Sequence, residues 1–111
     1  MHLHASSGTL EDLEVTGNTA EDASGNGSGG GLYLFYSSPS LTNLTVIGNG
    51  AGNAGGGMYP SGSNPTMTRF TVAGNTSTYD GGGGMYPSGS NPTMTRFTVA
   101  GNEADQEGGG M

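Results

Sequence analysis

Arg69 and Arg96 are the only Lys or Arg side chains in this sequence, and they lie 27 residues apart inside two identical stretches, 55–75 and 82–102. Brought side by side, two guanidinium groups could clamp a carboxylate or a sulfate, as on an acidic sugar, because each presents a planar fork of donors. Plain duplication of a segment would equally leave two solvated cations. Tyr33, Tyr59 and Tyr86 recur at a similar interval, with His2 as the counterpart nearer the start. Facing outward, such a column is a stacking platform of the kind sugars use; facing its neighbours, it is cross-strand packing.

The carboxylates gather in the variable segments: Glu21 and Asp22, then Asp80, then Glu103, Asp105 and Glu107. If folding brings those segments to one face, they could offer oxygens to Ca²⁺. They lack the regular Asp spacing of known calcium loops, so a solvated acidic loop face is the plainer reading, and no other cofactor is expected. His2 and His4 would share one face of a strand, but a metal needs further ligands that are not in view. Thr42, Thr68, Thr95 and Thr45, Thr71, Thr98 form two threonine columns, which either order water, as ice-binding surfaces do, or are ordinary exposed strand residues. Glu11, Asp12 and Glu14 are the nearest thing to a catalytic carboxylate group, and they occur in the first repeat only. A lyase needs a base with a cation site, and a hydrolase needs paired carboxylates. Neither set is present, so no catalytic residue is assigned.

The elements that must position these residues are read from the repeat itself. GGGMYPSGSNPTMTRFTVAGN occurs twice without change, GGGLYLFYSSPSLTNLTVIGN precedes it at 29–49, and TLEDLEVTGN is the clear part of a first copy. Aligned, the columns Leu10, Leu41, Met67, Met94 and Leu13, Leu44, Phe70, Phe97 and Val15, Val46, Val72, Val99 are apolar. Glu14, Thr45, Thr71 and Thr98 between the last two are polar. That alternation is a strand with one buried face. Pro39, Pro65 and Pro92 precede it and preset the turn into it. Asn18, Asn49, Asn75 and Asn102 each follow a glycine at its end. There Asn tolerates a left-handed turn and its amide can bond its copy in the next repeat, which makes this column a structural asparagine ladder. A unit this small, rich in glycine, cannot bury its own apolar face. Stacking on its neighbours is the economical solution.

The expectation is therefore an all-β parallel β-helix over 1–111, with coils at approximately 1–31, 32–57, 58–84 and 85–110. The final GGGM begins a further copy, which reads as part of a longer array whose neighbouring coils are missing here. Such an isolated segment is expected to aggregate or to be only partly ordered, because its end coils leave strand edges and apolar core open.

At GGG[LM]Y, SxP[ST][LM]T and [FL]TVxGN the chain resembles repeats of the right-handed parallel β-helix family with the pectin-lyase-like fold. It is similar in particular to the polymorphic outer-membrane-protein and adhesin type. The resemblance covers nearly the whole chain. It implies a right-handed solenoid, in keeping with the usual hand of parallel crossovers, and a secreted or cell-surface setting, outer-membrane-associated, with the targeting signal absent from this chain. Such coils serve adhesins, passengers and polysaccharide-degrading enzymes alike.

Bulk composition limits partners. With a formal net charge of −7 and no Lys, the chain lacks the basic track that nucleic acid or an anionic membrane surface requires. No apolar run is long enough to insert in a membrane. There is no Cys, so disulfides and thiolate metal sites are excluded. The expected function is a non-catalytic adhesion, glycan-binding or display segment, with polysaccharide or cell-surface glycan as partner and Arg69, Arg96, Tyr33, Tyr59 and Tyr86 as its contacts. The alternative is the flank of a polysaccharide-active lyase or hydrolase. A plain spacer would differ from the first only in lacking a ligand.

Overall fold

A computed structural model describes residues 1–106 and 108–111. Each of the first three repeats contributes a short strand, a long strand and a two-residue strand, and the fourth contributes the last two. They are β1 (His2–His4), β2 (Thr9–Thr16) and β3 (Thr19–Ala20); β4 (Leu32–Phe35), β5 (Ser40–Ile47) and β6 (Gly50–Ala51); β7 (Met58–Ser61), β8 (Thr66–Ala73) and β9 (Thr76–Ser77); then β10 (Thr93–Ala100) and β11 (Glu103–Ala104). They stack into three parallel sheets, ordered β1-β4-β7, β10-β8-β5-β2 and β11-β9-β6-β3. The chain is thus a parallel β-solenoid of about four coils, and the described residues contain no helix.

Register follows the sequence columns. Leu10 pairs with Leu41, Leu41 with Met67 and Met67 with Met94; Leu13, Leu44, Phe70 and Phe97 align likewise. Leu41, Leu44, Val46, Met67, Phe70 and Val72 form the core, joined from the first sheet by Leu32, Leu34, Met58 and Met85. In the fourth coil the first sheet shrinks to isolated bridges at Met58–Met85 and Ser61–Ser88. Pro60 lies between them and has no N–H to give to the coil above, so the ladder cannot run through.

The long strands are not straight. Met67 and Phe70 are both buried with two residues between them, so the alternation slips by one. The slip falls at Asp12, Asn43, Arg69 and Arg96, whose φ values are 52, 52, 53 and 53°. One left-handed residue per coil turns the strand round a corner while the apolar positions on both sides keep pointing inward. Asp and Asn tolerate that conformation; Arg does so at a cost of about 1–2 kcal/mol.

The glycine triplet closes each coil, and each of its members has a separate reason. Gly55 has a φ of 65°, which a side chain would strain. A Cβ on Gly56 would run into the Thr76 carbonyl, so the chain could not pass this close to the third sheet. A Cβ on Gly57 would sit 2.9 Å from the Asn75 amide nitrogen, in the space the asparagine column occupies.

Candidate aromatic face and polar ladders

The outer face of the first sheet carries the rings. His2 stacks on Tyr33 at 4.8 Å between centroids, Tyr33 meets Tyr59 at 5.3 Å, and Tyr59 stacks on Tyr86 at 5.8 Å. A second, shorter column lies beside it, with His4 on Phe35 at 5.2 Å. Strand geometry explains both, since residues two apart share a face and aligned residues recur at coil spacing. The tyrosines are half-buried. Their ring faces are largely spent on one another, so the column presents mainly ring edges and hydroxyls to solvent.

Tyr36 is different. It follows β4 at a φ of 48°, packs against Phe35 at 4.5 Å and is 66% exposed. A Cβ on Gly62 would lie 2.7 Å from the Tyr36 ring, so this ring rests directly on the glycine backbone of the next coil. It is thus held by the Gly62 backbone and by Phe35 while most of its surface stays in water, and an exposed, braced ring is one on which a sugar can stack. The column here reads Ala5, Tyr36, Gly62, Gly89. Its only sequence signal is a lone tyrosine set against glycines in the two later copies.

Arg69 and Arg96 are both exposed and occupy the corner of the second sheet. That sheet is separate from the one bearing the tyrosines, so the fold sets the two groups in different walls of the coil. Below the arginines the same column holds Asp12 and Asn43, joined by a 2.7 Å bond from the Asn43 amide to the Asp12 carboxylate.

The asparagines form a continuous chain of bonds. The backbone N–H and the amide of Asn49 both donate to Oδ1 of Asn75, at 2.9 and 3.0 Å, and Asn75 does the same to Asn102. Asn18 donates in turn to Asn49. Three of the amides also donate to a carbonyl one coil back, Asn49 to Val15, Asn75 to Val46 and Asn102 to Val72. Asn49 and Asn75 are fully buried, and every buried side-chain polar atom among the described residues has a partner. A second ladder escaped the sequence reading. The N–H of Ser6 donates to Ser37 Oγ, that of Ser37 to Ser63, and that of Ser63 to Ser90, at 2.9–3.0 Å. Serine in all four copies at one column was its available signal.

The acidic residues do not converge. Among the described residues, no group of three or more His, Asp or Glu side chains is placed to hold a metal ion. Asp22 closes its own loop, accepting from the N–H groups of Ser24 and Asn26 at 2.8 and 2.9 Å. These bonds, that of Asn26 first, hold its carboxyl below the ordinary aspartate range. Glu107 lies outside the described residues. A shallow cleft of about 250 Å³ beside Asp80, Tyr86 and Gln106 holds one described acidic side chain, with no His or Glu side chain among its described lining residues. Glu11 and Glu14 are exposed on β2, where their counterparts one coil along are Thr42 and Thr45. No protein-family model, no curated protein and no solved structure matches this chain.

Proposed function

We propose that this chain is a non-catalytic stretch of a secreted or cell-surface β-helix protein of the pectin-lyase-like, adhesin-type group, and that its aromatic face contacts polysaccharide or cell-surface glycan. The observation that carries this reading is the open ring of Tyr36, braced by Phe35 and seated on Gly62. The Tyr33, Tyr59 and Tyr86 column supplies hydroxyls along the same sheet face, at a repeat that suits a linear polymer rather than a compact ligand. Arg69 and Arg96 form a separate contact for uronate or sulfate groups.

A glycan array probed with the labelled chain tests this. Binding is expected, weakened about tenfold by Tyr36→Ala, the equivalent of losing roughly 1.4 kcal/mol of ring contact. Arg69→Ala with Arg96→Ala is expected to lower binding of acidic glycans only. Absence of binding to every glycan class would leave a plain spacer. Release of unsaturated product from uronate polymers would make the chain part of an enzyme instead.

A further inference from the structure

We propose that Asn26 is a site of self-modification, whose side-chain amide is lost by reaction with the backbone nitrogen of Gly27, leaving aspartate or isoaspartate in the loop between β3 and β4. The chain carries two Asn-Gly pairs, Asn26-Gly27 and Asn49-Gly50. Their local chemistry is the same, and the fold gives them opposite surroundings.

Asn49 is locked. It is 1% exposed. Its Oδ1 accepts from the N–H and the amide of Asn18, and its own amide donates to Val15, Ile47 and Asn75. The N–H of Gly50 donates to the Asn18 carbonyl at 2.8 Å. Neither the attacking nitrogen nor the amide can move without breaking the ladder.

Asn26 stands on an excursion from the coil. The ladder step from Asn18 to Asn49 spans 31 residues, and that from Asn49 to Asn75 spans 26. The extra length is spent between Ala20 and Gly27. The coil itself passes from one to the other: the Ala20 carbonyl accepts from Gly52, and the Gly27 carbonyl accepts from Asn53. A Cβ on Gly27 would lie 2.3 Å from the Ala20 oxygen, so the two ends of the excursion meet. Residues 21–26 therefore leave the wall and return, as a compact loop closed by its own bonds. The Asp22 carboxylate accepts from the N–H groups of Ser24 and Asn26, and the Asp22 N–H donates to the Asn26 carbonyl. The loop leans on the second coil, where a Cβ on Gly52 would run into the Gly25 carbonyl. Its exposure thus comes from projecting sideways. Asn26 is exposed, and among the described residues neither its side-chain amide nor the Gly27 N–H bonds to protein.

The Gly27 nitrogen attacks Asn26 Cγ. A C–N bond forms, the bond from Cγ to its amide nitrogen breaks, and the Gly27 proton leaves with that nitrogen as ammonia. Glycine suits the step because no side chain crowds its nitrogen. Water then opens the cyclic imide at either carbonyl, giving aspartate or isoaspartate. Both add a negative charge beside Glu21 and Asp22. Isoaspartate also adds a methylene to the main chain, which the closed Asp22–Asn26 turn has no room for, so the loop opens. The coil beneath stays, held by Gly52 and Asn53.

Peptide mapping by mass spectrometry on the full chain, incubated folded in mildly alkaline buffer, reads the amide-to-acid exchange at each asparagine. Exchange at Asn26 is expected to run at least about tenfold faster than at Asn49, which reacts only when its coil opens. In urea the two rates are expected to converge, since the pairs then differ only in their flanking residues. Asn26→Gln is expected to suppress the exchange at this position, because glutamine closes the corresponding ring slowly. Protease cleavage within 21–26 should rise with the modified fraction, while the urea midpoint stays in place. Equal rates at Asn26 and Asn49 in the folded chain overturn the proposal. So does an Asn26 that stays intact when folded while the same residue reacts in urea, or a modified loop no more open to protease than the original.

Discussion

Residues 55–75 and 82–102 are the same sequence in two places, and the fold treats them alike in one respect and differently in another. Their backbones match: Arg69 and Arg96 share a φ of 53°, Gly62 and Gly89 share 56°, and Gly74 and Gly101 lie at 58 and 59°. Their burial does not match. Phe70 is 2% exposed and Phe97 49%; Met67 and Val72 are sealed, whereas Met94 and Val99 are only partly covered. Even the long strand keeps its length and register while losing its buried pattern, from Met67, Phe70 and Val72 sealed in β8 to no sealed position in β10. Local conformation is thus a property of the repeat, and core formation is a property of having a repeat on each side. This is the nearest-neighbour behaviour expected of a solenoid.

That comparison can be broken or sharpened by paired substitutions, with stability followed by urea denaturation. The largest difference is expected at the phenylalanines. Phe70→Ala should cost about 3–5 kcal/mol, as buried aromatics do, and Phe97→Ala about 1 kcal/mol, since half its surface is already wet. Equal losses would show that the fourth coil is covered in solution. Next come the asparagines. Asn75→Ala removes the acceptor for two buried Asn49 donors and is expected to cost about 2–3 kcal/mol. Asn18→Ala, at the exposed start of the ladder, should cost less than about 1 kcal/mol.

The third pair should show no difference. Arg69→Asn and Arg96→Asn each replace a strained left-handed residue with one that tolerates the conformation. Both are expected to stabilise by about 0.5–1 kcal/mol. Unequal effects would mean that the corner depends on neighbours after all. The smallest effect concerns Asp22. Its carboxyl titrates lower in the folded chain than in the unfolded one, so its contribution is present above the unfolded value and fades as pH falls through the folded one. Asp22→Asn should lose that small contribution at neutral pH and flatten the acid limb, so that variant and wild type converge as pH falls. A difference between the two that persists unchanged to low pH would show that the loop does not depend on the carboxylate charge.

Much of this architecture could be read from residue columns. Apolar positions at 44 and 46 with Thr45 between them specify a strand face, and the same pattern at 70–72 and 97–99 specifies which strands align. Gly-Asn at each strand end marks a turn whose amide meets its own copy. The serine ladder was equally present, in Ser6, Ser37, Ser63 and Ser90. It is hard to recognise because serine is common in exposed loops, and only burial of Ser37 and Ser63 distinguishes these. Tyr36 was not legible. Its open ring depends on a glycine 26 residues away lying beneath it, which no local pattern expresses.

By itself, then, the sequence determined the coil: the strand periods, the left-handed corner and glycine positions, and the register that identical columns enforce. These are short-range preferences of backbone and side-chain alternation, and they recur wherever the repeat recurs. Only the tertiary structure decided which residues are core and which are surface. It set the arginines and the tyrosines in different sheets, laid Tyr36 on Gly62, and left Phe97 and Leu13 at opposite open ends. Burial and exposure are made by the neighbouring coil, and an identical sequence acquires different chemistry according to whether that neighbour is there.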